Sequence, residues 1–254
     1  MQLRLGILAI LFMFLNGCAG LATFDGGDIT AVTEPAPVLT TEAEPLKIII
    51  IGGTSGVGLE LVELAIARGH SVTAVARRPE RLSLSHPNLM TKKGDITKIE
   101  DMRRLLPGHD VVVSTVGLSP GSRNVTLFSK GVSNLLTVMA ETGQSRLVAV
   151  SAIGAGDSKG SGSFWFDAVL HPMVLADDID DKTRMEQILK ENSIDFTVVR
   201  PAILTNDIAE EKYRVIKSYQ GIEAGSISRK DVAHFLLHLA EENTYLRDIV
   251  TLSN

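Results

Sequence analysis

The sequence predicts an α/β protein built on a doubly wound parallel sheet with helices on both faces, and three observations carry that prediction. Lys47 is followed by four isoleucines, Ile48 to Ile51, a continuous apolar run of the kind found in a parallel strand covered on both faces. The run breaks at once into Gly52-Gly53-Thr54-Ser55-Gly56-Val57-Gly58 and then into an amphipathic stretch that closes at Gly69. From there onward, apolar runs of strand length alternate with helical patterns, as expected of parallel strands joined by crossover helices.

In chain order, strands are predicted over 47–52, 71–76, 89–93, 110–115, 146–151, 195–200 and 247–252. Helices are predicted over 57–68, 98–105, 124–143, 178–191 and 229–241, the last opened by Ser228-Arg-Lys-Asp231, an N-cap with an acid three residues on. The domain is thus expected to span 47–254. Residues 19–46, rich in Pro, Thr, Gly and acids and without periodicity, read as a flexible linker.

The glycines carry the chemistry. Gly52, Gly56 and Gly58 lie between a strand and a helix, with a second strand following. A turn of this kind lets a diphosphate approach the backbone and places its charge at a helix N-terminus, where free N–H groups and the helix dipole favour an anion. The same residues in a tight turn that binds nothing are the plainer alternative. An NAD site usually carries Asp or Glu about 20 residues past the glycines. Here Ala76-Arg77-Arg78-Pro79 stands instead, and arginine forks match a phosphate. NADP(H) is therefore expected over NAD(H), against the alternative that Arg77 and Arg78 are a solvated turn.

Ligands of such sheets bind outside the carboxyl ends of the strands. Asp95, followed by Ile96, is placed to accept from an adenine amino group, and Thr115-Val116-Gly117 is small enough for a ribose to lie close. Ser151 ends the fifth strand, and Pro201-Ala202-Ile203 follows the sixth near the expected nicotinamide. Each of these strand ends also reads as turn chemistry.

Composition narrows the function. A net charge of −5, with no basic run beyond Arg77-Arg78, argues against nucleic acid as a main partner. One cysteine permits no intrachain disulfide and no Cys-rich metal site. His234 and His238 are four apart, but they sit in Val232-Ala-His-Phe-Leu-Leu-His-Leu-Ala240, where packing or a solvent face is expected rather than a metal.

The N-terminus has the layout of a secretory signal: Arg4, an apolar run from Leu5 to Leu15, then Asn16-Gly17-Cys18. Leu15-Asn-Gly-Cys18 resembles a bacterial lipobox, which implies lipidation at Cys18, although Asn16 is unusual there. Residues 1–18 are read as this signal, and the acids that follow it place the body on the extracytoplasmic side of a membrane. An exported domain would meet no evident NADPH supply, so an anchor facing the cytoplasm stands as the alternative.

Several further segments extend the pattern: Asp-Val-Val-Val-Ser-Thr-Val-Gly117, Arg-Leu-Val-Ala-Val-Ser-Ala152, Phe-Thr-Val-Val-Arg-Pro-Ala202 and Ser-Ile-Ser-Arg-Lys-Asp-Val-Ala233. With the glycine turn, Ala-Arg-Arg-Pro79 and Gly-Asp-Ile96, they make residues 47–254 resemble the atypical short-chain dehydrogenases/reductases. The resemblance is to the NAD(P)H-binding branch with NmrA-like proteins and the flavin reductase/biliverdin reductase B group. It implies a Rossmann-like doubly wound sheet with a small C-terminal lid region and a bound NADP(H).

One departure bears on mechanism. The Tyr-x-x-x-Lys of most catalytic members is absent: Tyr213, Tyr219 and Tyr245 lie well downstream, and Asp178 stands where Tyr would be, with Lys182 in the lysine place. Alcohol oxidation through that relay is not expected. Hydride transfer to a planar acceptor such as a flavin or quinone needs no strong acid. Ser151 would then bond the nicotinamide or the acceptor and Lys182 would stabilise a reduced acceptor. The equal alternatives are a strand-end cap and a surface lysine. Gly154 to Val174, with Phe164, Trp165 and Phe166, reads as a flap, a core plug or an interface. A non-catalytic dinucleotide-binding sensor or assembly protein remains the second reading of the whole chain.

Overall fold

A computed structural model describes residues 33–40, 43–118, 125–159, 176–218 and 225–254, all within one compact unit, Ala31–Asn254. The signal segment with Cys18, and Phe164, Trp165 and Phe166, lie outside the described residues.

The strands are β1 (Thr33–Pro35), β2 (Lys47–Ile51), β3 (Ser71–Ala76), β4 (Leu89–Lys93), β5 (Val111–Ser114), β6 (Arg146–Val150) and β7 (Asp195–Pro201). Short strands β8 (Ile203–Thr205), β9 (Arg214–Ile216) and β10 (Ser226–Ser228) follow, then β11 (Asp248–Ser253). The helices are α1 (Gly56–Ala67), α2 (Ile99–Leu105), α3 (Leu127–Thr142), α4 (Ala176–Lys190) and α5 (Arg229–Glu241). Among the described residues one sheet of nine strands runs in the order β1-β9-β11-β7-β6-β5-β2-β3-β4, and β8 pairs with β10 apart from it. From β11 through β4 the neighbours are parallel. The sheet grows outward in both directions from β2 and β5, which is the doubly wound Rossmann-like order.

The isoleucine run explains why the sheet is covered twice. Side chains alternate across a strand, so Ile48 and Ile50 pack with α1 and α5 while Ile49 and Ile51 pack with α2, α3 and α4. All four are essentially inaccessible, and burying an aliphatic side chain of this size is worth about 1.5–3 kcal/mol. The N-cap expected of α5 is present: Ser228 Oγ accepts from the Asp231 amide at 3.0 Å and donates to the Asp231 carboxylate at 2.7 Å. α3 has no side-chain cap of its own. Asp181 of α4 supplies one across the interface, accepting from the Phe128 amide at 2.7 Å.

The expectation of a flexible linker over 19–46 needs correction at its C-terminal end. Thr33–Pro35 is an edge strand, antiparallel to β9. Glu34 pairs with Lys217 at 2.8 Å and accepts from the Tyr245 hydroxyl. Further on, Arg68 donates to the Thr40 carbonyl at 2.7 Å and to Glu241, which also holds His70; the Leu46 amide donates to that same imidazole. The folded unit therefore begins well before Lys47.

His234 and His238 are buried on α5, so they pack rather than face solvent. His234 Nδ1 lies 2.8 Å from the Tyr213 hydroxyl and His238 Nε2 lies 3.2 Å from Thr244 Oγ1. Burial pushes both imidazoles below their usual value of 6.5. The unfolded chain therefore takes up protons first as pH falls, so stability is full above about pH 6.5 and declines below it. Thermal melts between pH 7.5 and 5 are expected to show a falling midpoint, with a shallower decline for His238→Gln. A flat profile would contradict the assignment.

Candidate dinucleotide site

The site is built where the strand order reverses, between the carboxyl ends of β2 and β5. The main chain turns sharply after Ile51. Gly52 adopts φ +100°, donates its amide to the Val75 carbonyl at 2.8 Å and passes against the main chain of Thr115. A Cβ on Gly52 would lie 2.8 Å from the Thr115 carbonyl carbon, and one on Gly58 would overlap the Gly52 carbonyl oxygen and Thr115 Oγ1. Thr115 closes the contact by donating its amide to the Ile51 carbonyl at 2.8 Å. The glycines thus bring the start of α1 against the ends of two strands.

That leaves α1 with an open N-terminus. Ser55 makes no side-chain cap, the first turn holds no acid, and Ser55 and Gly56 are exposed. Gly53 and Val57 are buried and shape the turn from beneath, with Thr54 half-buried beside them. First-turn amides without a capping side chain are what a diphosphate requires, and the missing Cβ atoms at Gly52 and Gly58 let the turn close against Thr115 and hold that helix end in place. The residues present fit a dinucleotide.

Arg77 and Arg78 lie at the end of β3, both exposed, and neither side chain has a hydrogen bond or ion pair among the described residues. Asp95 is half-buried, and its Oδ1 is engaged locally, accepting from the Thr97 amide at 3.0 Å and the Thr97 hydroxyl at 2.8 Å. Ile96 turns into the core against Gly131, and its carbonyl accepts from Asn134. Val116 is half-buried and Gly117 exposed, with open space where a Cβ would be. Pro201 and Ala202 are buried and Ile203 is exposed; the Pro201 carbonyl accepts from the Ile153 amide at 3.1 Å.

Ser151 and Lys182 are each engaged elsewhere, and no hydrogen bond joins them. Ser151 is buried and donates its hydroxyl to Glu186 Oε1 at 2.7 Å. Glu186 is gripped on both oxygens by Arg200, at 2.8 Å from Nε and 2.5 Å from Nη2, and Arg200 Nη1 reaches Asp157 at 2.6 Å. Lys182 bonds Asp178 at 3.2 Å across one turn of α4 and lies 4.8 Å above the Phe128 ring centroid. The tyrosine place of the usual relay is therefore an ion pair. The other oxygen of Asp178 is buried without a partner among the described residues.

Sequence reasoning missed Glu186 and Arg200. A charged residue inside the apolar strand Phe196-Thr-Val-Val-Arg-Pro was the available signal, since such a group must find a partner on the helix covering it. A cavity of about 230 Å³ between α1 and α5, lined by Glu60, Glu63, Glu211 and His234, contains none of these site residues. Among the described residues no group of three or more metal-binding side chains occurs. No helix there is long and apolar enough to cross a membrane.

The fold and the glycine cradle together define a Rossmann-type dinucleotide-binding protein. Residues 52–243 match the model of the NAD(P)H-binding family, and the chain belongs to that family. It is 28% identical over 209 residues to an uncharacterized chloroplastic protein of Arabidopsis thaliana, covering 78% of this chain and 74% of that one. Its fold is similar to that of an anaerobillin reductase from Escherichia coli, with a TM-score of 0.68, 22% identity and coverage of 82% and 96%. A short-chain dehydrogenase/reductase of Veillonella parvula, solved in complex with NADP, gives a TM-score of 0.68 at 15% identity, covering 83% and 95%.

Proposed function

We propose that the protein is an NADPH-dependent oxidoreductase that passes hydride to a planar acceptor such as a flavin or quinone. The observation that carries this reading is the pairing of an open glycine cradle with two arginines at the end of the next strand whose side chains have no partner among the described residues. Bound NADPH supplies the hydride; the chain binds, orients and shields it. The cradle takes the diphosphate, and Arg77 and Arg78 take the 2′-phosphate. Thr115, Val116 and Gly117 border the ribose, Asp95 offers its second carboxylate oxygen to the adenine, and Pro201, Ala202 and Ile203 lie toward the nicotinamide. Ser151 gives its proton to Glu186, so it presents acceptor lone pairs, suited to a carboxamide N–H rather than to a carbonyl. The engagement of Lys182 with Asp178 leaves little free acid, which suits an acceptor whose own electronics complete the reduction.

The same engagement supports a second reading, a non-catalytic dinucleotide-binding sensor, and acceptor-dependent NADPH oxidation separates the two. The signal-like N-terminus supports membrane anchoring through Cys18, with the domain on the extracytoplasmic side. Radiolabelled palmitate incorporation lost in Cys18→Ala would test it.

Titration of the full chain with NADPH and NADH, followed by nicotinamide fluorescence, tests the cofactor assignment. Charge-assisted hydrogen bonds are worth about 1.5–3 kcal/mol. Arg77→Glu/Arg78→Glu is therefore expected to weaken NADPH about 10- to 100-fold and leave NADH nearly unchanged. Equal affinities for the two nucleotides in the wild-type chain would end the NADPH assignment.

A further inference from the structure

We infer that Arg229, the first residue of α5, is a diphosphate-binding residue contributed by the C-terminal region to the glycine cradle. The inference rests on the cofactor reading above and adds a residue that the strand-end pattern does not contain. Arg229 is 173 residues beyond Gly56 in sequence, yet a Cβ on Gly56 would lie 3.8 Å from its Nε. Gly56 is the first residue of α1, so the guanidinium stands beside the open amides.

Its orientation is set from behind. Nη1 donates to the Thr205 carbonyl at 3.0 Å and to Asn206 Oδ1 at 2.7 Å. The Ser228–Asp231 cap fixes the backbone from which the side chain leaves. Nε and Nη2 have no partner among the described residues. These two nitrogens share one edge of the guanidinium, the edge that binds two oxygens of an anion side by side. No carboxylate is bonded to that edge, and the first turn of α1 carries no acid to neutralise it. A half-buried cation is thus held by one corner with its bidentate edge free, next to a backbone built for phosphate oxygens. Because α5 packs along α1, anion binding there would also tie the C-terminal region to the cofactor.

The diphosphate is common to NADPH and NADH, which gives the test its signature. In titrations of the full chain by nicotinamide fluorescence, Arg229→Gln is expected to weaken both nucleotides by the same factor, about tenfold. Arg77→Glu/Arg78→Glu should change only their ratio. Asn206→Ala, which removes one of the two anchors and keeps the charge, should weaken both by a smaller equal factor, and it carries the test if Arg229→Gln does not fold. Loss of melting temperature with both affinities within twofold of wild type would make Arg229 a purely structural tie and overturn the inference. A wild-type chain that binds neither nucleotide would overturn the cofactor reading and this one together.

Discussion

Replacing Glu186 by alanine is expected to destabilise the protein by about 3–5 kcal/mol, because it removes the carboxylate that holds two donors of a buried guanidinium. Arg200 is fully buried, and Glu186 takes two of its donors; Asp157, which also bonds it, is largely exposed. Ser151 loses its acceptor in the same step. Gly156 fixes the geometry further, since a Cβ there would lie 2.5 Å from Arg200 Nη2. Urea unfolding gives the measurement, and Glu186→Leu/Arg200→Met gives the control. Removing both charges together avoids leaving a buried charge under-compensated, so the double variant should recover most of the loss. A single variant within about 1 kcal/mol of wild type would mean that the remaining contacts of Arg200 compensate its charge, and would overturn the expectation.

Gly58→Ala is expected to abolish nucleotide binding and to cost about 1–3 kcal/mol of stability, since overpacking at a closed contact forces backbone to move. The added methyl meets the Gly52 carbonyl and the Thr115 hydroxyl, neither at the end of a flexible side chain. Relief must come from withdrawing α1 from β5, which opens the cradle. Gly117→Ala meets open space and should leave the unfolding midpoint nearly unchanged. Calorimetric titration with NADPH beside thermal melts would show the two effects together. Undiminished binding by Gly58→Ala would show that the cradle does not depend on that approach.

The parallel core was legible because its causes are local. Ile48 to Ile51 announces two covered faces, and Ser228 with Asp231 announces a helix start, without reference to any distant residue. The glycine turn was legible for the same reason, since a missing Cβ is written directly in the sequence. What stayed hidden depends on pairing across long separations. Thr33-Glu-Pro35 carries a proline and an acid and has no strand pattern of its own; it becomes a strand because β9 offers it an edge. β8 and β10 are three residues each and hold one another in place. The link from Ser151 through Glu186 to Arg200 joins three separate elements, and no spacing rule connects them.

β1 also sets an order of events in time. Its partner, Arg214–Ile216, is about 180 residues away, and that strand in turn rests against β11, the last of the chain. Closing so large a loop is entropically slow and is rewarded only once the far edge exists. During synthesis the parallel core from β2 to β6 can assemble while Thr33–Pro35 has nothing to pair with. Thr33–Pro35 is therefore fastened to the sheet only after Arg214–Ile216 has formed, well after the parallel core.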